Sequence, residues 1–480
     1  MNRRQALAAI GAWTAFPAIS ATNADYRGDI AILREALRLH PGLYRYATPS
    51  QIDRRIARLE RDYVAAATIE QRYLTLSRFL ATIRCGHTYC NFYNQSDDVA
   101  AALFDRNSRL PFHFDWIEGR MIVVADPDGV GLAPGSEVLT VNGVRAAEML
   151  ATLLPYARAD GHNDAKRVAL LGVTGSDRIE FFDVFHGLIY GVPPNETHRL
   201  VLRRPQGTIH ATQVPAIGLA ARQAQMTARD YSGEKPAWSW TMQDDGIATL
   251  TMPSWALYES KWDWRQWLSE RLDSLHGAKG LIVDIRQNEG GEDCGDALLA
   301  RLAEKPILDP GAERRVRFVR TPAALNPYLH TWDKSFRTLG VGAQPIGNGF
   351  LRLTGDHAEE VIAPVAPRIT LPVAALIGPV NSSATFQFAQ KAKRSRLVRL
   401  FGERTGGNQR GINGGCFFFV QLPASGIEFD LPLIGYFPEG NPPDTGLAPD
   451  VHVQRSAADL AAGRDGARAA AAAWILRGSA

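Results

Sequence analysis

From about Gly246 onward, short continuous apolar runs alternate with stretches of helical period. Leu281-Ile-Val-Asp-Ile and Leu371 to Ile377 suit strands buried on both faces, whereas Asp296 to Leu302 and Ser383 to Lys393 read as helices. Such alternation means an α/β domain. It occupies only part of the chain, and 480 residues are too many for one ordinary core, so two or three domains are expected.

The preceding segments differ in character. Between Asp29 and about Ile83, apolar residues recur at three and four (Ile30, Leu33, Leu37, then Leu76, Phe79, Leu80), which predicts a helical N-terminal domain over 25–107. Strand-like runs such as Met121-Ile-Val-Val-Ala, with turns at Gly129, Gly131, Gly135 and Asn142-Gly143, predict a small β-domain over 108–217. Part of it, Gly131 to Gly143, looks like a PDZ domain, and any small β-domain would also fit. A Gln-, Ala- and Thr-rich stretch suggests a linker over 218–245, with the α/β domain filling 246–480. Thr321–Thr354, rich in aromatics and glycines, interrupts the α/β rhythm and is expected to be a lid or substrate wall.

Residues 1–24 read as a secretory signal: Arg3-Arg4, a short apolar run from Leu7 to Ile19, then small residues. The paired arginines look like a twin-arginine signal, so a periplasmic or secreted location is expected. No later run reaches the roughly 18 apolar residues of a membrane span, so the mature chain is expected to carry no integral membrane segment. The formal charge of +3, from 53 basic and 50 acidic residues, points to no nucleic-acid partner. The sequence leaves the oligomeric state open. Four cysteines, Cys85, Cys90, Cys294 and Cys416, do not complete a metal-ligand pattern, and no metal or cofactor is expected.

Chemistry concentrates where the strand Leu371 to Ile377 passes through Gly378-Pro-Val-Asn381-Ser382-Ser383-Ala384 into a helix. A serine in the first turn of a helix has backbone N–H groups and the helix dipole nearby, which favour a developing oxyanion. Alone, Ser382 and Ser383 would read as N-caps. Four segments in order alter that reading: Asp284-Ile-Arg-Gln-Asn288-Glu289-Gly290-Gly291, Ser383-Ala384 with Ala389, Gly402-Glu-Arg-Thr-Gly-Gly407, and Gly446-Leu-Ala-Pro-Asp450. Together they resemble the tail-specific protease and tricorn-core family of serine peptidases.

The resemblance implies the ββα fold of the Clp protease/crotonase type, with Ser383 as nucleophile. The N–H groups of Gly290 and Ala384 would form the oxyanion hole. Where the better-known members carry a base Lys in a Thr-x-Gly-Lys segment, this chain has Thr405-Gly-Gly-Asn408, and asparagine cannot accept the proton. Lys391 and Lys393 do not match that spacing and read as a solvated helix face. The tricorn and retinoid-binding-protein-like branch takes its base from an upstream Gly-His-Thr, which here falls on Gly86-His87-Thr88 and assigns His87. A carboxylate orienting His87 would come from Glu439 or Asp444. A disulfide between Cys85 and Cys90 is expected to stiffen the loop presenting His87.

The function that follows is an exported serine peptidase, acting on a peptide or protein through a Ser383 acyl-enzyme. A catalytically silent peptide or lipid binder, or an ester hydrolase on the same scaffold, are the alternatives.

Overall fold

Val373–Ile377 and Gly280–Asp284 lie side by side in parallel, Leu376 opposite Asp284, at the centre of a six-stranded sheet. The computed structural model describes residues 25–226, 233–258, 260–308, 312–354 and 361–478. The expected export signal, residues 1–24, lies outside them.

The sheet runs Val451–His452, Arg399–Gly402, Val373–Ile377, Gly280–Asp284, Ile247–Thr251, Ser239–Met242, parallel except for the last pair. Its apolar strands are covered on one face by helices Trp264–Asp273, Cys294–Leu302 and Ser383–Ser395, and on the other by Gly466–Gly478. Alternating side chains sort accordingly: Leu281 and Val283 pack with the first layer, Ile282 with the second. This is the α/β arrangement that the apolar runs predicted.

Upstream, helices Tyr26–Leu37, Pro49–Ala65 and Ile69–Ala81 occupy the helical-period segment. Thr48 and Gln51 form a reciprocal capping box ahead of the second, and Thr68 caps the third. The β-domain is an antiparallel sheet in the order His113–Ile117, Arg120–Ala125, Glu137–Val141, Thr197–Arg203, Ile209–Pro215. Asn142 and Gly143, both at positive φ (51° and 83°), join Glu137–Val141 to Val144–Arg145 in a two-residue hairpin turn.

Two segments differ from their sequence reading. Within 218–245, Leu219–Ala224 is helical, and its fully buried Arg222 pairs with Asp183 (Nε to Oδ2, 2.8 Å); Ser239–Met242 is the edge strand of the α/β sheet. The stretch is therefore fastened to its neighbours at both ends, by a buried charge at one and a strand ladder at the other. The Thr321–Thr354 stretch supplies Leu329–His330, Gln344–Gly347 and Phe350–Arg352 to a second antiparallel sheet, built on the long hairpin Asn413–Gln421 and Glu428–Phe437.

One hydrophobic core joins the N-terminal helices (Ile30, Leu33, Leu76, Leu80), the β-domain (Phe114, Val123, Leu200) and that hairpin (Phe418, Phe429, Leu431). Among the described residues no helix is long and apolar enough to cross a membrane.

Candidate active site

The helix Ser383–Ser395 starts where the central strand ends, and the turn between them is stapled to the glycine turn of the neighbouring strand. Asn381, fully buried, donates through Nδ2 to Ile285 O (2.5 Å) and Asn288 O (2.9 Å), and its Oδ1 accepts from Gly378 N (2.7 Å). Thr385 Oγ1 bonds Asn288 O at 3.0 Å. Gly406 and Gly407 donate to Asn381 O, so the Thr405–Asn408 segment braces the same turn from behind.

The two adjacent serines have different surroundings. Ser382 occupies the N-cap position but makes no capping bond: its buried hydroxyl accepts from Lys166 Nζ (3.1 Å) and donates to Glu289 O (3.2 Å). Ser383 has φ +52°, uncommon for a residue other than glycine, and lines a cavity of about 910 Å³. Its neighbour Gly290, at φ +109°, lies so close that a Cβ there would stand 2.9 Å from Ala384 N, Ser382 O and Ser383 Cβ.

The backbone N–H groups beside Ser383 that make no hydrogen bond among the described residues include those of Ala384 and Gly291. The Gly290 N–H, expected from the resemblance to face an oxyanion, instead donates to Asn288 Oδ1 at 2.8 Å. Gly290 O accepts from Trp255 N, and because a trans peptide points its N–H opposite its carbonyl, the Gly291 N–H turns away from Trp255.

His87 lines the same cavity, its ring 5.8 Å from that of Phe417. Its turn is held from outside: Gly86 N donates to Asp160 Oδ1 (2.9 Å), Arg158 Nη1 donates to Gly86 O (2.5 Å), and Thr88 Oγ1 bonds His40 Nε2 (2.9 Å). Burial, and then the Arg158 and Lys166 charges, push the imidazole down to about 3, with Glu289 pulling the other way. His87 Nδ1 is buried without a hydrogen-bond partner.

Neither expected orienting carboxylate bonds His87. Asp444 accepts from the His162 backbone (3.0 Å), lies 2.5 Å from His162 Nδ1, and accepts from Asn408 (2.7 Å); Glu439 is exposed, and neither lines the cavity. The carboxylate that acts on His87 is Glu289, held down to about 2 against the effect of burial by Arg158 and Lys166. Sequence reasoning missed Arg158 and Lys166, two basic residues in the β-domain with no surrounding motif.

Other expectations are corrected. Cys85 and Cys90 are separate buried thiols, raised to about 11 and 12 by burial. The His87 turn is stiffened by Asp160 and Arg158 instead of a disulfide. Lys391 is buried rather than solvated, its Nζ 2.8 Å from Asp296 Oδ2, and Lys393 donates to Ala448 O at 2.6 Å. The Thr321–Thr354 stretch supplies no residue to the lining of this cavity; its Trp332 backs Phe417 and Phe419. No group of three or more His, Cys, Asp or Glu able to hold a metal occurs among the described residues.

Residues 246–453 match peptidase family S41. No curated protein sequence matches the chain. Among solved structures, mature CPAF complexed with lactacystin aligns over 95% of this chain and 97% of its own, at 16% identity and TM-score 0.59. Mature CPAF alone aligns over 95% and 96%, at 15% identity and TM-score 0.59. The photosystem II D1 C-terminal processing protease aligns over 90% and 94%, at 13% identity and TM-score 0.42. At these identities the CPAF likeness is one of fold.

Proposed function

We propose, for a chain whose 246–453 segment belongs to peptidase family S41 and which is a serine-type peptidase, that hydrolysis runs through a Ser383 acyl-enzyme with His87 as general base. The observation that carries this reading is the contrast between the serines: Ser382 is locked by Lys166 and the Glu289 carbonyl, while Ser383 is held in a strained conformation facing the cavity that His87 also lines.

In this mechanism Ser383 Oγ attacks the peptide carbonyl while its proton passes to His87, which returns it to the leaving amine. Water then attacks the ester carbon, losing a proton to His87, which gives it to Ser383 Oγ as the C–Oγ bond breaks and the acid is released. The N–H groups of Ala384 and Gly291, both uncommitted, receive the oxyanion, and Gly290 serves by leaving room for them. Lys166 is a poor alternative base, because all three donors of its ammonium are engaged, by Glu289, Val380 O and Ser382 Oγ. Glu439 and Asp444 are left without a catalytic role. Tyr89, Phe92, Phe181 and Phe417 in the cavity wall suit a peptide carrying apolar side chains.

A fluorophosphonate probe tests the assignment. Peptide mapping is expected to find the adduct on Ser383, labelling to be lost in Ser383→Ala and retained in Ser382→Ala, and His87→Ala to slow it by at least ~100-fold. Labelling on Ser382, or at the wild-type rate without His87, would overturn the reading.

Export through Arg3-Arg4 belongs to the same proposal and rests on the sequence of residues 1–24 alone. Replacing both arginines with lysine is expected to leave an uncleaved precursor inside the cell; normal processing would count against a twin-arginine route.

A further inference from the structure

Four segments far apart in the chain meet around one carboxylate. Arg158 donates through Nη1 to Gly86 O (2.5 Å) and through Nη2 to Glu289 Oε2 (3.0 Å). The other Glu289 oxygen pairs with Lys166 Nζ, which also donates to Val380 O (2.7 Å) and Ser382 Oγ (3.1 Å). Ser382 Oγ closes the loop on Glu289 O (3.2 Å). The links thus run from the His87 turn through Arg158, Glu289 and Lys166 to the residue before Ser383. Among the described residues, no hydrogen bond joins residues 85–88 directly to 286–291 or 379–385.

We infer that Glu289 is a positioning residue for acyl transfer, its carboxylate gripping Arg158 and Lys166 so that the His87 turn and the Ser383 turn stay in register. This rests on the Ser383–His87 reading. The components suit the task. The Arg158 guanidinium is a rigid fork that reaches a carbonyl and a carboxylate at once, which an ammonium on a flexible stem does not reproduce. Lys166 is almost wholly buried, and Arg158 nearly so, its guanidinium also 4.3 Å above the Tyr89 ring. A purely stabilising ion cluster is poorly explained here, since buried ion pairs add little over apolar packing. Their value lies in fixed geometry, which acyl transfer needs because it depends steeply on the distance between base and nucleophile.

The test is kinetic, on the full chain, with kcat and KM for a peptide substrate expressed per folded molecule. Arg158→Lys, which keeps the charge and loses the fork, and Glu289→Gln, which removes the grip, are each expected to lower kcat by about 100-fold, the order produced by ~1 Å misplacement, with KM within about twofold. The double variant Glu289→Gln/Lys166→Met is expected to lose no more than Glu289→Gln alone, because both break one chain of contacts. If Arg158→Lys and Glu289→Gln keep kcat within about threefold of wild type, the inference falls. Should Glu289→Gln fail to fold, Arg158→Lys decides alone. His87→Ala and Ser383→Ala run alongside: an active His87→Ala enzyme would sink the Ser–His mechanism, whereas inactive controls with unimpaired Arg158→Lys and Glu289→Gln would sink only the positioning role.

Discussion

A general base must be neutral in the free enzyme, so the environment of His87 fixes the acid side of the pH profile. An ordinary histidine titrates near 6.5, and a limb at pH 6–7 would be expected from sequence alone. Burial and two facing cations, Arg158 and Lys166, outweigh Glu289 and hold this imidazole at about 3. We therefore predict that kcat/KM stays flat from neutral pH down to about pH 4 and falls only as pH approaches 3. Stability has its own sign: between 3 and about 6.5 the unfolded state binds a proton that the folded state refuses, so this contribution is full above 6.5 and is lost as pH falls toward 3. Circular dichroism beside the rate profile separates unfolding from titration, and a limb at 6–7 in fully folded enzyme would contradict the burial argument. The positions of Ser383 and His87 could be proposed from sequence because each lies in an ordered run of motif residues. Arg158 and Lys166 could not, because their meaning arises only where the β-domain touches the Ser382 turn.

At the scale of elements, the strand-to-helix turn at 378–384 and the glycine turn at 288–291 behave as one unit. Asn381 and Thr385 both bind the Asn288 carbonyl of the glycine turn, and Gly290 and Gly291, at φ +109° and +138°, adopt conformations that side chains resist. A Cβ on Gly291 would stand 2.2 Å from the Trp255 carbonyl, so that glycine serves close packing as well as its own backbone shape. The apolar runs announced the strands and the Ser-Ala pair announced the helix start. The role of the individual glycines was not legible, because choosing between the Gly290 and Gly291 N–H depends on the Asn288 side chain bonding one of them. The 218–245 and 321–354 segments were misread for a related reason: their strands are short, and pairing with distant partners, not local pattern, makes them regular.

At the scale of the whole molecule, the site is assembled from parts that share a core. The hairpin Asn413–Gln421 and Glu428–Phe437 belongs to the S41 segment, yet Phe418, Val420, Leu422, Ile427, Phe429, Leu431 and Leu433 are buried in the cluster that holds Ile30, Leu33, Leu76 and Leu80 of the N-terminal helices. At about 1.5–3 kcal/mol for each fully buried side chain of this size, that contact rivals the ~5–15 kcal/mol net stability of a typical domain. Polar ties reinforce it: Asp29 accepts from Ala424 N (2.7 Å) and Ser425 N (3.0 Å), and Asp430 from Asn91 Nδ2 (2.8 Å). The N-terminal helices should therefore open together with the hairpin, not as a detachable domain. We predict that, in native-state hydrogen exchange, amides of Ile69–Ala81 and Glu428–Phe437 share one opening free energy and one denaturant dependence. A fragment beginning near residue 236 is expected to expose the hairpin face, to lack His87, Arg158 and Lys166, and to leave Ser383 unlabelled by a fluorophosphonate. A clearly lower opening energy for the helices than for the hairpin, or a folded and labelled fragment, would mean that the shared core does not couple the two limbs and that the His87 turn can leave the site without unfolding it.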